Sequence, residues 1–139
     1  LATLAHRRGR FEEALAELRD VVRQTRALGG EAELDALAMG VSLARALRDA
    51  GQAEEAERTA EDVVREYHEL LAPDHPDVLL ARHERARIVR DHESDPERLV
   101  RARDEFTEIR QINERRLGSD HPDTIAAVHE LGTVWHLLG

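Results

Sequence analysis

Apolar side chains recur along this chain at three- and four-residue intervals: Leu43, Ala44 and Leu47; Ala56, Ala60 and Val63; Phe106 and Ile109; Leu131 and Trp135. Such spacing lines them up on one stripe of an α-helix. Polar stretches carrying glycine or proline separate the stripes. Together they predict seven helices, at residues 1–8, 11–28, 34–49, 53–70, 76–91, 97–116 and 123–138, in an all-α chain.

The pattern repeats. Gly9-Arg10-Phe11-Glu12-Glu13-Ala14 matches Gly51-Gln52-Ala53-Glu54-Glu55-Ala56, an offset of 42, and Asp20-Val21-Val22-Arg23 matches Asp62-Val63-Val64-Arg65 at the same offset. Further on, Asp74-His75-Pro76-Asp77 matches Asp120-His121-Pro122-Asp123 at 46. The longer second offset places a four-residue insertion in the stretch from His92 to Pro96, where a tight turn is expected. Each unit reads as helix A, a glycine-containing turn, helix B and a polar linker. Gly9 and Gly51 are expected to turn between antiparallel helices. Pro76 and Pro122 are expected near helix starts, with Asp74, Asp77, Asp120 and Asp123 positioned to cap free amides and oppose the helix dipole.

These residues resemble the tetratricopeptide repeat: Leu43, Ala44, Leu47, Gly51 and Ala56 in one unit, and Leu131, Gly132, Trp135 and Gly139 in the last. The 42-residue unit and the Leu117-Gly118-Ser119-Asp120-His121-Pro122-Asp123-Thr124 segment resemble the kinesin light chain subclass, which also occurs in bacterial signalling proteins. The resemblance implies a right-handed α-solenoid of antiparallel helix pairs. Its single domain, 1–139, would divide into a first repeat at 1–30 (part of helix A plus helix B), repeats at 31–72 and 73–118, and a last helix A at 119–139. Ala44, Ala86 and Gly132 would be points of close helix approach, intolerant of larger residues. Leu18, Leu47, Ala60, Val63, Val89, Phe106, Ile109 and Trp135 would fill the layers. The third repeat departs from the pattern, with no turn glycine and with Arg85 where the others place Leu43 and Leu131.

Composition narrows the function. The chain has a formal net charge of −9 and 29 acidic residues, against 20 basic ones that are all arginine. That balance argues against direct nucleic-acid binding. There is no cysteine, so no disulfide or thiolate metal site, and this usage is compatible with the cytoplasm. No apolar run approaches the length of a membrane span. The chain opens on Leu1 rather than Met and reads as a segment of a longer protein. Among eight histidines none forms HExxH, since Ala72, Arg87 and Thr133 stand four residues after His68, His83 and His129. His129 and His136 share a helix face, the nearest approach to a metal pair, and no metal or other cofactor is expected. Ser42, Ser94 and Ser119 lack a nucleophile-elbow context. An enzyme is not expected.

What the resemblance implies instead is a protein-interaction scaffold whose helices A line a concave groove. By register the groove carries His6 and Arg7; Val41, Ser42, Arg45, Arg48 and Asp49; His83, Glu84, Arg87, Arg90 and Asp91; and His129, Glu130, Thr133 and His136. Kinesin light chains use their groove for peptides with acidic and aromatic residues. The recurring Arg45, Arg48, Arg87 and Arg90, set against Glu-rich helices B, favours an acidic peptide or a neighbouring domain as partner. The same arginines could instead pair locally, Arg45 with Asp49 and Arg87 with Asp91, on a solvated face. A second function class is self-assembly, in which open solenoid ends stack on another copy.

Overall fold

A computed structural model describes residues 2–92 and 95–139, with side chains from Arg7 onward. The described residues form six helices and no strand: α1 (Ala2–Ala27), α2 (Glu31–Asp49), α3 (Ala53–Leu70), α4 (Pro76–His92), α5 (Pro96–Leu117) and α6 (Pro122–Leu138). They fall into two compact units, Leu1–Tyr67 and His68–Gly139.

Six helices replace the expected seven because the first two are one. α1 runs straight through Gly9, whose backbone is helical. A turn there would need a packed partner to hold it, yet residues 7–14 are all exposed. A glycine inside a helix costs only about 1 kcal/mol, while each residue added gains a hydrogen bond, so propagation wins. Gly51 shows the opposite outcome. It takes φ 78°, Gln52 N–H donates to Leu47 C=O at 2.9 Å, and Gly51 N–H donates to Arg48 C=O at 3.0 Å. This left-handed C-terminal motif is held because Leu47 before it and Ala56 after it are fully buried.

In Leu1–Tyr67, α2 packs against α3 and α1. Its small residues set the spacing: a Cβ added to Gly40 would lie 2.7 Å from Val63 Cγ2. Ala44, Leu47, Ala56 and Ala60 close the layer behind it. Arg19 and Arg26 of α1 reach Glu55 and Glu66 of α3, the first as a paired hydrogen bond at 3.0 and 2.9 Å.

In His68–Gly139, α5 lies against both α4 and α6, and Leu79, Ala86, Phe106, Ile109, Ala127 and Val134 share one apolar core. The polar linkers work as expected in part. Pro76 and Pro122 are the first residues of α4 and α6, and Asp95 accepts a hydrogen bond from Glu97 N–H at the start of α5. The caps of α4 and α6, however, are histidines. His75 Nδ1 accepts from Asp77 N–H, and His121 Nδ1 from Asp123 N–H, each at 3.1 Å. Thr124 closes the second linker by donating to Gly118 C=O at 2.8 Å. The expected insertion at 92–96 includes Glu93 and Ser94, which lie outside the described residues.

Two packing expectations are corrected. Trp135 is 57% exposed rather than buried between layers, and the Arg103 guanidinium lies 5.2 Å from the centre of its ring. Gly132 is exposed, with open space where a Cβ would stand. Both sit on a face of α6 that no helix among the described residues covers, so side-chain volume is unconstrained there.

Candidate functional site

The helix-A residues picked out by register occupy α2 in one unit and α4 with α6 in the other. On α2, Arg45 is exposed and Arg48 is buried, with its guanidinium 3.4 Å from the Asp49 carboxylate. The side chain of His6 lies outside the described residues.

In His68–Gly139 the sequence brings charge together more densely than spacing alone suggests. Glu84 and Glu130 occupy the same place in successive repeats, and both are buried. Arg87 lies 3.8 Å from Glu84 and 3.6 Å from Glu130. Arg90 pairs with Glu130 and lies 2.7 Å from Asp91. Two of the predicted groove arginines are thus clamped between α4 and α6 by carboxylates from both helices. Buried carboxylates require such partners, because an isolated charge in an apolar interior is expensive. Sequence spacing pointed to Asp91 as the partner of Arg87, but Glu130, from another helix, was not legible in it.

A second charged group ties α4 to α5. Arg82 is buried, donating to Glu105 at 2.9 and 3.2 Å and to Glu108 at 2.9 Å, and Arg85 donates to Glu105 at 2.7 Å. This bears on the departure of the third repeat: Arg85, in place of leucine, extends to Glu105, whose place in the second repeat is taken by Thr59. Burial alone would push the Glu105 carboxyl up, but hydrogen bonds and charge from Arg82 and Arg85 outweigh it and hold the group below its ordinary value of 4.5. Burial works against the Arg82 charge too, and the two carboxylates overcome it, raising the guanidinium further.

His83 packs edge-on against the Phe106 ring, 5.3 Å between centroids. Beside it opens a half-open pocket of about 330 Å³, between the first turns of α4 and α6 and the last turns of α5. Leu79, Leu80, Ile109 and Leu117 give it an apolar floor, while Asp77, Asp123 and Arg116 stand around it. The pocket and Arg116 were missed in the sequence, since Arg116 belongs to a helix B and only the meeting of three helices places it beside His83. Further along α6, His129 and His136 are exposed and Thr133 is half-buried, its hydroxyl donating to His129 C=O. Among the described residues no three histidine, aspartate or glutamate side chains gather as a metal site, and no helix is long and apolar enough to cross a membrane.

Comparison with known proteins agrees with this architecture. Residues 40–77, from mid-α2 through α3 to the start of α4, match the sequence model of a tetratricopeptide repeat. A solved structure from Podosopora anserina, of a protein described as a kinesin light chain with nearly identical TPR-like repeats, is similar with TM-score 0.80 and 28% identity, over 99% of this chain and 63% of that one. A point variant of the same protein gives TM-score 0.73 and 29% identity, over 93% and 59%. The chain therefore spans about three fifths of the length of these relatives. No curated protein matches it. The fold is a tetratricopeptide-like helical repeat, a class that generally mediates contacts between proteins.

Proposed function

We propose that this chain is a non-catalytic scaffold module that binds a peptide or a neighbouring domain through its helix-A surfaces. The reading places it in the cytoplasm, within a larger signalling or regulatory protein of bacterial type. The observation that carries the binding role is the half-open pocket beside His83, whose apolar floor suits a partner's hydrophobic side chain. Arg116 on its margin makes no ion pair among the described residues, and a carboxylate next to that hydrophobic side chain would complement it. Arg87 and Arg90 reach a ligand only by loosening their hold on Glu84 and Glu130, so they weigh less in recognition than Arg116. His129, Thr133 and His136 extend the same surface along α6, and Arg45 and Arg48 are the corresponding groups on α2.

Selection from a random-peptide library tests this directly. Enriched sequences should combine acidic and apolar residues, and their affinity should fall about tenfold or more on Arg116→Glu and on Leu80→Glu while the circular dichroism spectrum stays unchanged. Failure to enrich any sequence, or binding that ignores both substitutions, overturns the proposed site.

A further inference from the structure

Three of the α5 residues that line the pocket beside His83 follow one another at four-residue steps: Ile109, Asn113 and Leu117. The outer two are apolar, as a stripe turned toward neighbouring helices requires. The middle one is an amide. Asn113 is only 5% exposed, yet among the described residues neither its NH2 group nor its oxygen makes a hydrogen bond. Buried amides left this way are uncommon, because desolvation without a partner is expensive. In the repeat before, the same place belongs to Tyr67, whose ring is fully buried. The exchange gives up a ring and puts a donor and an acceptor into the pocket wall instead.

We infer that Asn113 determines the specificity of this pocket, and that the partner's side chain entering it is a tyrosine, its ring on the apolar floor and its hydroxyl paired with the Asn113 amide. The inference rests on the pocket reading above and adds to it the identity of the entering group. Chemistry narrows the choice. Leu79, Leu80, Ile109 and Leu117 call for an apolar body large enough to cover them, which excludes serine and threonine. Leucine and phenylalanine supply that body but would seal the amide off with nothing to bond, the costly outcome. A lysine or glutamate tip would carry a charge onto an apolar floor. Tryptophan can only donate and serves the Asn113 oxygen alone, whereas a phenol both donates and accepts and serves either end of the amide. The space of about 330 Å³ accommodates one such ring.

Side-chain analogues test this without a peptide: p-cresol stands for tyrosine and toluene for phenylalanine. Each is titrated into the whole chain while the methyl signals of Leu79, Leu80 and Ile109 are followed by nuclear magnetic resonance. p-Cresol should bind about tenfold more tightly than toluene, since toluene leaves the buried amide unmet. Transfer out of water by itself favours toluene, which has no hydroxyl to desolvate, so this order reports the hydrogen bond. Asn113→Leu, close in shape and set between two apolar neighbours on its stripe, should keep the fold and reverse the order. Equal affinities in the wild-type chain, or a preference for p-cresol that survives Asn113→Leu, overturn the inference and leave the pocket reading standing. Methyl signals that respond to neither probe overturn both.

Discussion

Gly40 and Arg82 hold the same place in successive repeats, and the two could hardly be less alike. Around Gly40, α2 and α3 approach so closely that not even a methyl group fits against Val63. Around Arg82, α4 and α5 meet instead through a long guanidinium side chain, which is buried and held by Glu105 and Glu108. Across from Gly40, Thr59 and Asp62 occupy the places of Glu105 and Glu108. The repeat therefore keeps where two helices meet but not the chemistry that joins them. Small-residue packing gains from dispersion and apolar burial. The ionic version must first offset desolvation, and it succeeds only because one cation and two carboxylates converge.

The sharpest way to break the comparison is to remove the arginine. Arg82→Leu should lower stability by about 3 kcal/mol, because the largely buried Glu105 loses a cation that offsets its burial and the exposed Glu108 loses its partner. Urea unfolding followed by far-ultraviolet circular dichroism measures it. The same substitution should change the acid profile. Because the folded-state carboxyl of Glu105 titrates below 4.5, its contribution is fully present above about pH 4.5 and is lost as pH falls through the lower folded value. Wild type should therefore lose stability below that pH, and the variant should lose less.

Gly40→Ala probes the other side of the comparison. Overpacking against a stiff, buried valine should outweigh the gain in helix propensity, for a net loss of about 1 kcal/mol in the same urea titration. Smaller still is the cap: His121→Ala should cost about 1 kcal/mol or less, and His121→Asn should restore most of it, as both side chains can accept from Asp123 N–H. Last, Gly132→Ala should raise thermal stability slightly, by about 0.5 kcal/mol, because the helix gains propensity and the new Cβ meets open space. A loss there would show that a close helix contact forms at Gly132 after all.

Much of the fold was legible because it is local. The positions of α2 to α6 follow from apolar spacing, from Pro76 and Pro122 at helix starts and from the Gly51 turn, each a property of a few neighbouring residues. Gly9 misled because a glycine permits a turn without enforcing one, and only packing decides. Trp135 and Gly132 misled in a related way: the repeat pattern says which face should be covered, while exposure depends on what is there to cover it. In the candidate site, His83 and the arginines were legible as positions on helices A. The pairing of Arg87 and Arg90 was not, because Glu130 reaches them from another helix separated by many residues.

The sequence by itself determined the helical repeat, its period and the faces that seek a neighbour, since these follow from side-chain periodicity and backbone preference along short stretches. Tertiary structure alone decided that α1 would not turn, that Arg87 and Arg90 would be clamped by Glu130, and that Arg116 would stand beside the pocket at His83. Each of those outcomes depends on which distant groups share a space and on whether burial leaves a charge with a partner.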